Sequence, residues 1–249
     1  MTAAPDAKQR SVAYIENTGD ELASARARAL VGAQPVSEVI ELLPDCGTEP
    51  AIGELLMILA TFDDLVCREV PPVEVACQIL ARVQGRDGAW CDGADVTEDE
   101  RIISTGMIAG YLAKTPFVRR STLNSAADHL ASLWEPERVK GTAWSATAAY
   151  FHCFSLIRHD QADAILQWCG RELERGFLTD VYDVVQTARV FTLCKAHALP
   201  GSQLARSDLV ERLVEEQGCD GSYVPRDDSS KSARVEHTLD ALAALVHLA

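Results

Sequence analysis

One seven-residue pattern occurs twice in this chain of 249 residues, and it constrains the fold more than any other feature. It reads Gln-Gly-x-Asp-Gly-small-aromatic, first at residues 84–90 and again at residues 217–223. The two copies lie 133 residues apart, and so do the threonines that follow them, Thr105 and Thr238. Two landmarks with one offset indicate an internal repeat.

The pattern predicts a tight turn between two helices. Asp-Gly favours the turn because glycine adopts positive φ at little cost. The glutamine side chain can bond backbone groups at the end of one helix, and the ring of Trp90 or Tyr223 can cover the start of the next. We therefore interpret both rings as structural. We call residues 84–90 the first frame and residues 217–223 the second frame.

Composition excludes several classes of partner. Lys and Arg number 23 against 37 Asp and Glu, a net charge of −14, which makes nucleic acids and anionic membranes poor partners. No apolar run reaches membrane-spanning length, and the polar start does not resemble a signal peptide. The eight cysteines show no CxxC spacing, which favours reduced core residues in a cytoplasmic protein.

Apolar residues recur with helical spacing along the chain, and no strand pattern competes with them. We expect a flexible tail over residues 1–10 and a single all-α domain over residues 11–249. Ser11 is predicted to cap the first helix, and Thr179 is predicted to cap a later one. The result is about eleven or twelve helices, paired as hairpins of about 44 residues.

Such hairpins either stack as an open solenoid or close into a ring of inner and outer helices. Helices rich in small and apolar residues alternate with amphipathic ones, which favours inner and outer layers. The predicted helix at residues 100–113 carries Ser104, Gly106, Ala109 and Gly110. These small residues permit close helix approach or leave room for a cavity.

The frame, followed by a helix with Thr and a run of Ala and Leu, resembles the repeat of the terpenoid cyclase and protein prenyltransferase superfamily. The cyclase branch calls this repeat the QW motif. The resemblance implies an α/α toroid of helical hairpins with a central cavity for an isoprenoid. It is carried by the two frames and by the periodicity between them.

The prenyltransferase branch binds zinc through Asp-x-Cys at one inner helix and His before Thr in a later one. Here Asp180-Val-Tyr182 resembles the first element, and His237-Thr238 resembles the second. Tyr182 stands at the cysteine position, and two ligands do not complete a tetrahedral zinc site. We therefore expect no metal and no cofactor, and we assign Tyr182 and His237 to substrate binding. The plainer interpretation of His237 is a helix residue satisfied within the fold.

The class II cyclase branch uses Asp-x-Asp-Asp, in which a protonated carboxyl donates to an alkene or epoxide. The nearest match here is Asp180-Val-Tyr-Asp183. Asp180 and Asp183 share a helix face if both lie in the first turn, and close carboxylates raise the pKa of one of them. We predict Asp183 as the catalytic acid, supported by Asp180. The plainer interpretation of either residue is helix capping.

A carbocation also needs aromatic faces around it. Trp144 and Tyr150, in a predicted helix over residues 142–157, are the aromatic residues that we assign to substrate binding. A second acidic cluster at residues 95–100 resembles another inner-helix entrance. A solvated loop and a metal–diphosphate site both remain open for that cluster.

Three functions remain open at this point. The first is acid-initiated cyclisation or isomerisation of a hydrophobic, isoprenoid-type substrate. The second is a non-catalytic toroid that binds a lipid-like ligand or a protein, and the third is zinc-dependent prenyl transfer. A sealed apolar cavity with a buried carboxyl favours an enzyme, whereas a filled core favours a scaffold.

We expect protein purified without chelators to contain substoichiometric zinc, because Tyr182 stands where the zinc-binding pattern has a thiolate. Elemental analysis measures this directly. One tightly held zinc per chain, lost in His237→Ala, would contradict the prediction.

Overall fold

The computed structural model describes residues 3–44, 50–91, 96–141, 143–226 and 230–249. These residues form twelve α-helices and a short 3-10 helix at Pro136–Val139, and they contain no strand, so the expected all-α class is confirmed. The helices are α1 (Ala3–Thr18), α2 (Glu21–Leu30), α3 (Val36–Glu41), α4 (Ile52–Asp64), α5 (Pro71–Val83), α6 (Glu98–Ala113), α7 (Arg120–Ser132), α8 (Trp144–Phe154), α9 (Ala162–Leu178), α10 (Val184–Cys194), α11 (Arg206–Glu216) and α12 (Lys231–Leu248).

Local capping chemistry explains where several helices begin. Four N-cap residues accept a hydrogen bond from the backbone N–H three residues later. They are Asp20, Thr97, Asp183 and Ser230. Such a bond satisfies an N–H group that has no partner inside the helix. Helix α5 begins instead with two prolines, whose fixed φ suits the first turn.

The expected tail is helical, since α1 begins at Ala3 and Ser11 lies inside it. Ala7 and Ser11 are fully buried. They are buried by the second frame, which lies more than two hundred residues away in sequence. Helix α1 ends at Thr18 and Asp20 caps α2, so the helix expected from Ser11 is in fact two helices.

The helix expected from Thr179 begins instead at Val184. The backbone N–H and the hydroxyl of Thr179 both donate to the carbonyl of Arg175, so Thr179 ends α9. Asp180 follows with a φ of 54°, a left-handed conformation that a continuing helix does not allow. Asp183 then caps α10.

Contacts between helices divide the chain into two compact units. The first unit comprises Met1–Pro44, Tyr182–Ala198 and Gln203–Ala249, and the second comprises Asp45–Val181 and Leu199–Ser202. In the first unit α12 packs against α1, α2, α10 and α11. In the second unit α6 packs against α4, α7 and α8. The single domain and the ring of helices stay predictions.

Small residues bring α6 and α8 close together. A Cβ on Gly106 would lie 2.6 Å from the carbonyl oxygen of Ala149, and a Cβ on Gly110 would lie 2.3 Å from the ring of His152. That ring packs edge-on against Tyr111, with 4.5 Å between centroids. Of the two interpretations of this stretch, close helix approach is therefore the one found, and the two glycines leave no gap.

The two frames make the same hydrogen bonds. The ring N–H of Trp90 and the hydroxyl of Tyr223 each donate to a carbonyl ten residues earlier, at 2.8 and 2.7 Å. The backbone N–H of each aromatic residue donates to the hydroxyl of Thr105 or Thr238, at 3.1 Å in both frames. The repeat is thus present in the structure. The polar atom of each ring bonds the preceding helix, and whether the ring also covers the start of the next helix stays a prediction.

Each frame also bonds the backbone of a further helix. The Gln84 side chain donates to a carbonyl in its own turn and to the carbonyl of Thr122 in α7. The Gln217 side chain likewise donates to its own turn and to the carbonyl of Ala7 in α1. Helix α1 therefore takes at the second frame the place that α7 takes at the first.

The turn glycines should resist replacement. Gly88 and Gly221 have φ near 90°, and an added Cβ would lie 2.2 Å from a carbonyl oxygen of the helix that each one packs against. Gly32 also has positive φ but no atom within 4 Å of its Cβ position, so Gly32→Ala isolates the conformational cost, about 1–2 kcal/mol. We expect Gly88→Ala and Gly221→Ala to lower the free energy of unfolding by about 2–5 kcal/mol, because the clash adds to that cost.

Urea denaturation of the three variants measures these losses. Equal losses at all three glycines would mean that the close approach to the neighbouring helix contributes nothing.

The second unit buries a cluster of charges. Lys114 Nζ lies 2.5 Å from Asp63 Oδ2, and Arg68 Nε lies 2.6 Å from Asp63 Oδ1. The Lys114 side chain is only 3% exposed. Burial raises the pKa of Asp63, but Lys114 and Arg68 outweigh burial and hold that pKa below its ordinary value.

We expect Asp63→Asn to lower the free energy of unfolding by about 3–5 kcal/mol near neutral pH, because Lys114 keeps a buried charge without its partner. The folded-state pKa of Asp63 is depressed, so its contribution is fully present above the unfolded value of about 3.9 and is lost as pH falls through the folded value. The gap between wild type and variant should therefore narrow below about pH 4. Denaturation curves at several pH values test this, and a gap independent of pH would contradict it.

Candidate functional site

Asp183 and His237 meet in the first unit. His237 lies in α12, and its Nε2 is 3.3 Å from Oδ2 of Asp183. The two side chains are 12% and 9% exposed. A carboxyl group and an imidazole at this distance form an ion pair when the ring is protonated, and they can pass a proton between them.

The start of α10 holds Asp183 in place. Its Oδ1 accepts the backbone N–H of Gln186 at 2.7 Å, and the Gln186 side chain accepts the backbone N–H of Asp183 at 3.1 Å. The Asp183 carbonyl accepts the hydroxyl of Thr187 at 2.9 Å. This is a reciprocal capping box, so the capping interpretation of Asp183 is confirmed.

The second carboxyl oxygen of Asp183 is different. Oδ2 is buried and accepts no hydrogen bond from any residue within the described ranges, and it faces His237. The His237 ring itself has no hydrogen bond within the same ranges. A buried polar atom left without a hydrogen bond is rare in folded proteins and calls for an explanation.

Two further ion pairs lie along α12. Arg189 Nε of α10 is 3.3 Å from Oδ1 of Asp240. One guanidinium nitrogen of Arg26 in α2 is 3.1 Å from Oε2 of Glu236. Both arginines are buried. We call the three pairs Asp183–His237, Arg189–Asp240 and Arg26–Glu236 the polar seam of the first unit.

Sequence reasoning missed the two arginines of the polar seam. The available signal was on α12, where Glu236 and His237 lie about one turn before Asp240 in a helix otherwise rich in Ala and Leu. Their partners come from α2 and α10, which are distant in sequence. Periodicity within one helix does not identify such partners.

The Asp183–His237 pair has no counterpart in the other copy of the repeat. With the offset of 133 residues, His237 corresponds to Ser104, whose hydroxyl donates to the Trp90 carbonyl at 2.6 Å. Helices α4 and α10 pack on α6 and α12 respectively, and their N-caps are Ala51 and Asp183. The carboxyl and the imidazole are thus both present in one copy of the repeat and both replaced in the other.

The rest of the polar seam follows the same rule. Asp240, Glu236 and Arg189 correspond by the same offset to Met107, Ile103 and Leu56. Buried charges are costly unless they are paired. Apolar side chains therefore occupy, in the other copy, the positions that correspond to Glu236, Asp240 and Arg189.

Asp180 does not share the first turn of α10 with Asp183, so the expected helix face of two carboxylates is wrong. Asp180 precedes the helix, is exposed and belongs to the second unit. The left-handed backbone at Asp180 separates it from α10. Tyr182 immediately precedes Asp183 in sequence. It belongs to the first unit and is buried.

The aromatic residues assigned to substrate binding lie in the second unit. Trp144 is the first residue of α8 and is half-buried. Tyr150 is fully buried, with ring centroids 4.9 Å from Trp134 and 6.2 Å from Phe154. Burial raises the pKa of the Tyr150 hydroxyl, which has no hydrogen-bond partner among the described residues. Their contact with a substrate stays a prediction.

The described carboxylates of the acidic cluster at residues 95–100 are bound by neighbouring protein groups. Arg138 pairs with Glu98 and with Asp99. Glu100 bonds the backbone N–H of Thr97 at the start of α6. Asp95 lies outside the described residues. No group of three or more His, Cys, Asp or Glu that could hold a metal occurs in the part of the chain that is described.

The cysteines and the helix lengths bear on location. Cys46 lies outside the described residues, and the other seven cysteines are free thiols. Four of the seven are buried, as expected, but Cys219 in the second frame is exposed. Among the described helices, none combines the length and apolar character needed to cross a membrane.

No family model matches the chain, and no curated protein matches it. Membership of the terpenoid cyclase and prenyltransferase superfamily therefore stays a prediction from the two frames and their spacing.

Proposed function

We propose that this protein is an enzyme that cyclises or isomerises a hydrophobic, isoprenoid-type substrate, with Asp183 as the acid and His237 as its proton partner. One observation carries the proposal. Asp183 Oδ2 is buried, accepts no hydrogen bond from the described residues and faces His237 at 3.3 Å. The replacement of both residues in the other copy of the repeat supports a role beyond folding.

The two carboxyl oxygens of Asp183 have different roles in this proposal. Oδ1 is committed to the Gln186 N–H, which fixes the carboxyl group on α10. Oδ2 is the oxygen that is available to carry a proton. A carboxyl group is inherently a stronger acid than an imidazolium, which suits protonation of a carbon–carbon double bond. His237 lies where it can take up and return that proton.

The proposed reaction balances without a cofactor. A proton from Asp183 bonds to one carbon of a double bond, and the neighbouring carbon becomes a cation. Ring closure moves that cation without changing the number of atoms or electrons. Loss of a proton from an adjacent carbon forms a new double bond, and the Asp183–His237 pair regains its proton.

The α/α toroid and the cytoplasmic location belong to the same proposal. The second frame bonds α1 as the first frame bonds α7, which is how a ring would join its last hairpin to its first. The seven described cysteines are free thiols, as in a reducing compartment. The isoprenoid class of substrate is supported by the resemblance of the two frames.

A non-catalytic protein that binds a lipid-like ligand or a protein partner is the second candidate. The capping box favours it, because it gives Asp183 a sufficient role in folding. Prenyl transfer has less support, since Tyr182 stands at the position of a zinc thiolate. The experiment below separates the first two candidates.

Asp183→Asn tests the acid against a matched control. Asn caps helices as well as Asp, so the variant should keep α10 capped and lose only the proton donor. Asp20→Asn makes the same change at the N-cap of α2, where Asp20 bonds the Ala23 N–H. We expect Asp183→Asn to lower turnover of acyclic isoprenoids by at least about 100-fold and Asp20→Asn to leave it unchanged.

Turnover is measured in D₂O by mass spectrometry of the products, because deuterium in the product reports the proton that the enzyme delivered. His237→Ser gives the second copy the residue of the first, so the fold should tolerate it while turnover falls. Both variants should unfold within a few degrees of wild type. Equal turnover in wild type, Asp183→Asn and His237→Ser would reject the assignment. Ligand binding by the wild type without any turnover would favour the second candidate.

A further inference from the structure

A cleft of about 520 Å³ in the second unit is lined by two arginines. It lies at the end of α6, the start of α7 and the turn that follows α8. Its walls include Arg120, Leu123 and Asn124 from α7 and Leu156, Ile157 and Arg158 from the turn. Within the described residues, no Asp or Glu lines it.

The two arginines stand out in an acidic chain. Asp and Glu outnumber Lys and Arg by 37 to 23, yet the lining of this cleft includes two arginines and no carboxylate. Arg120 and Arg158 are both exposed, and neither pairs with a carboxylate in the described ranges. The cleft is therefore a local positive site on a protein with a net charge of −14.

The floor of the cleft is apolar. Leu123 and Leu156 are half-buried, and Ile157 is buried. A ligand with an anionic head and a short hydrocarbon chain matches both features. A phosphate monoester suits the head better than a carboxylate, because its three terminal oxygens can accept from two guanidinium forks. The amide of Asn124 supplies a further donor.

Helix ends modify this charge but do not reverse it. The first turn of α7 has no acidic residue, and its N-cap Arg119 makes no side-chain capping bond, so this positive helix end adds to the arginines. The ends of α6 and α8 carry the opposite sign. Each helix end is equivalent to about half a unit charge, so two full guanidinium charges outweigh them.

We propose that this cleft binds a phosphate monoester joined to a short hydrocarbon chain. The residues that would hold it take no part in the Asp183–His237 pair, so binding does not require that pair to be catalytic. Arg120 and Arg158 would hold the phosphate, and Leu123, Leu156 and Ile157 would contact the chain.

Calorimetric titration of the full chain with n-octyl phosphate and with inorganic phosphate tests this site. We expect octyl phosphate to bind at least about 10-fold more tightly than inorganic phosphate, because only octyl phosphate buries a hydrocarbon chain. Arg120→Gln and Arg158→Gln should each weaken octyl phosphate binding about 10-fold. Arg82→Gln removes the same charge from an exposed position on α5 and should change the affinity less than about twofold.

Leu156→Ala distinguishes binding of the phosphate group from binding of the hydrocarbon chain. It should weaken binding of octyl phosphate and leave that of inorganic phosphate unchanged. No binding of octyl phosphate at millimolar concentration, or unchanged binding in both arginine variants, would overturn the site. Equal affinity for octyl phosphate and inorganic phosphate would overturn the proposed contact between the cleft and the hydrocarbon chain.

A vesicle assay distinguishes a soluble ligand from a lipid headgroup of the same chemistry. The negative protein should not sediment with phosphatidic acid vesicles, because the anionic surface repels it. Sedimentation that both Arg120→Gln and Arg158→Gln abolish would identify the source as a membrane lipid and overturn the soluble ligand.

Discussion

The close approach of a glycine turn to the backbone of a neighbouring helix is the constraint on which the rest of the structure depends. Gly88 and Gly221 each place a bare Cα against a helix carbonyl, where no side chain fits. The turn fixes the aromatic residue that follows, whose ring bonds the preceding helix and whose N–H bonds a threonine of the next. Three helices are thereby held by one turn. Because α1 is the third helix at the second frame, α1 is held by residues more than two hundred positions later in the chain.

The turns of the frames could be predicted because their chemistry is local. Contacts between residues that are distant in sequence could not be predicted. The Asp-Gly turn is local, so the sequence alone indicated it, whereas the Gln and the aromatic ring also bond other helices. The burial of Ala7 depends on Gln217, and no local pattern reveals that contact. Thr179 and Asp183 are both good capping residues, and only the left-handed turn at Asp180 decides between them. Asp183 and His237 were chosen as separate site residues, but their contact joins two helices and could not be predicted from either one.

The repeat gives a measure of what folding requires. Positions that both copies share, such as the glycines, glutamines and threonines of the frames, satisfy the same backbone groups in each unit. Positions that differ between the copies are not needed to satisfy those shared backbone groups. Ser104 completes its own frame by bonding the Trp90 carbonyl, whereas His237 at the same position is directed at Asp183. On α12, the first unit carries Glu236, His237 and Asp240 in ion pairs, at positions where the second unit has Ile103, Ser104 and Met107.

Asp63 and Asp183 are both buried, but their carboxyl oxygens are used differently. Both oxygens of Asp63 accept short hydrogen bonds from cations, and these bonds hold its pKa low, so it is a fixed charge with no oxygen left for a substrate. Asp183 uses only Oδ1 in the fold and leaves Oδ2 buried beside an imidazole. Leaving a buried oxygen without a hydrogen bond costs free energy that folding alone does not explain. The imidazole of His237, with its Nε2 3.3 Å away, is the group that the fold places beside Oδ2.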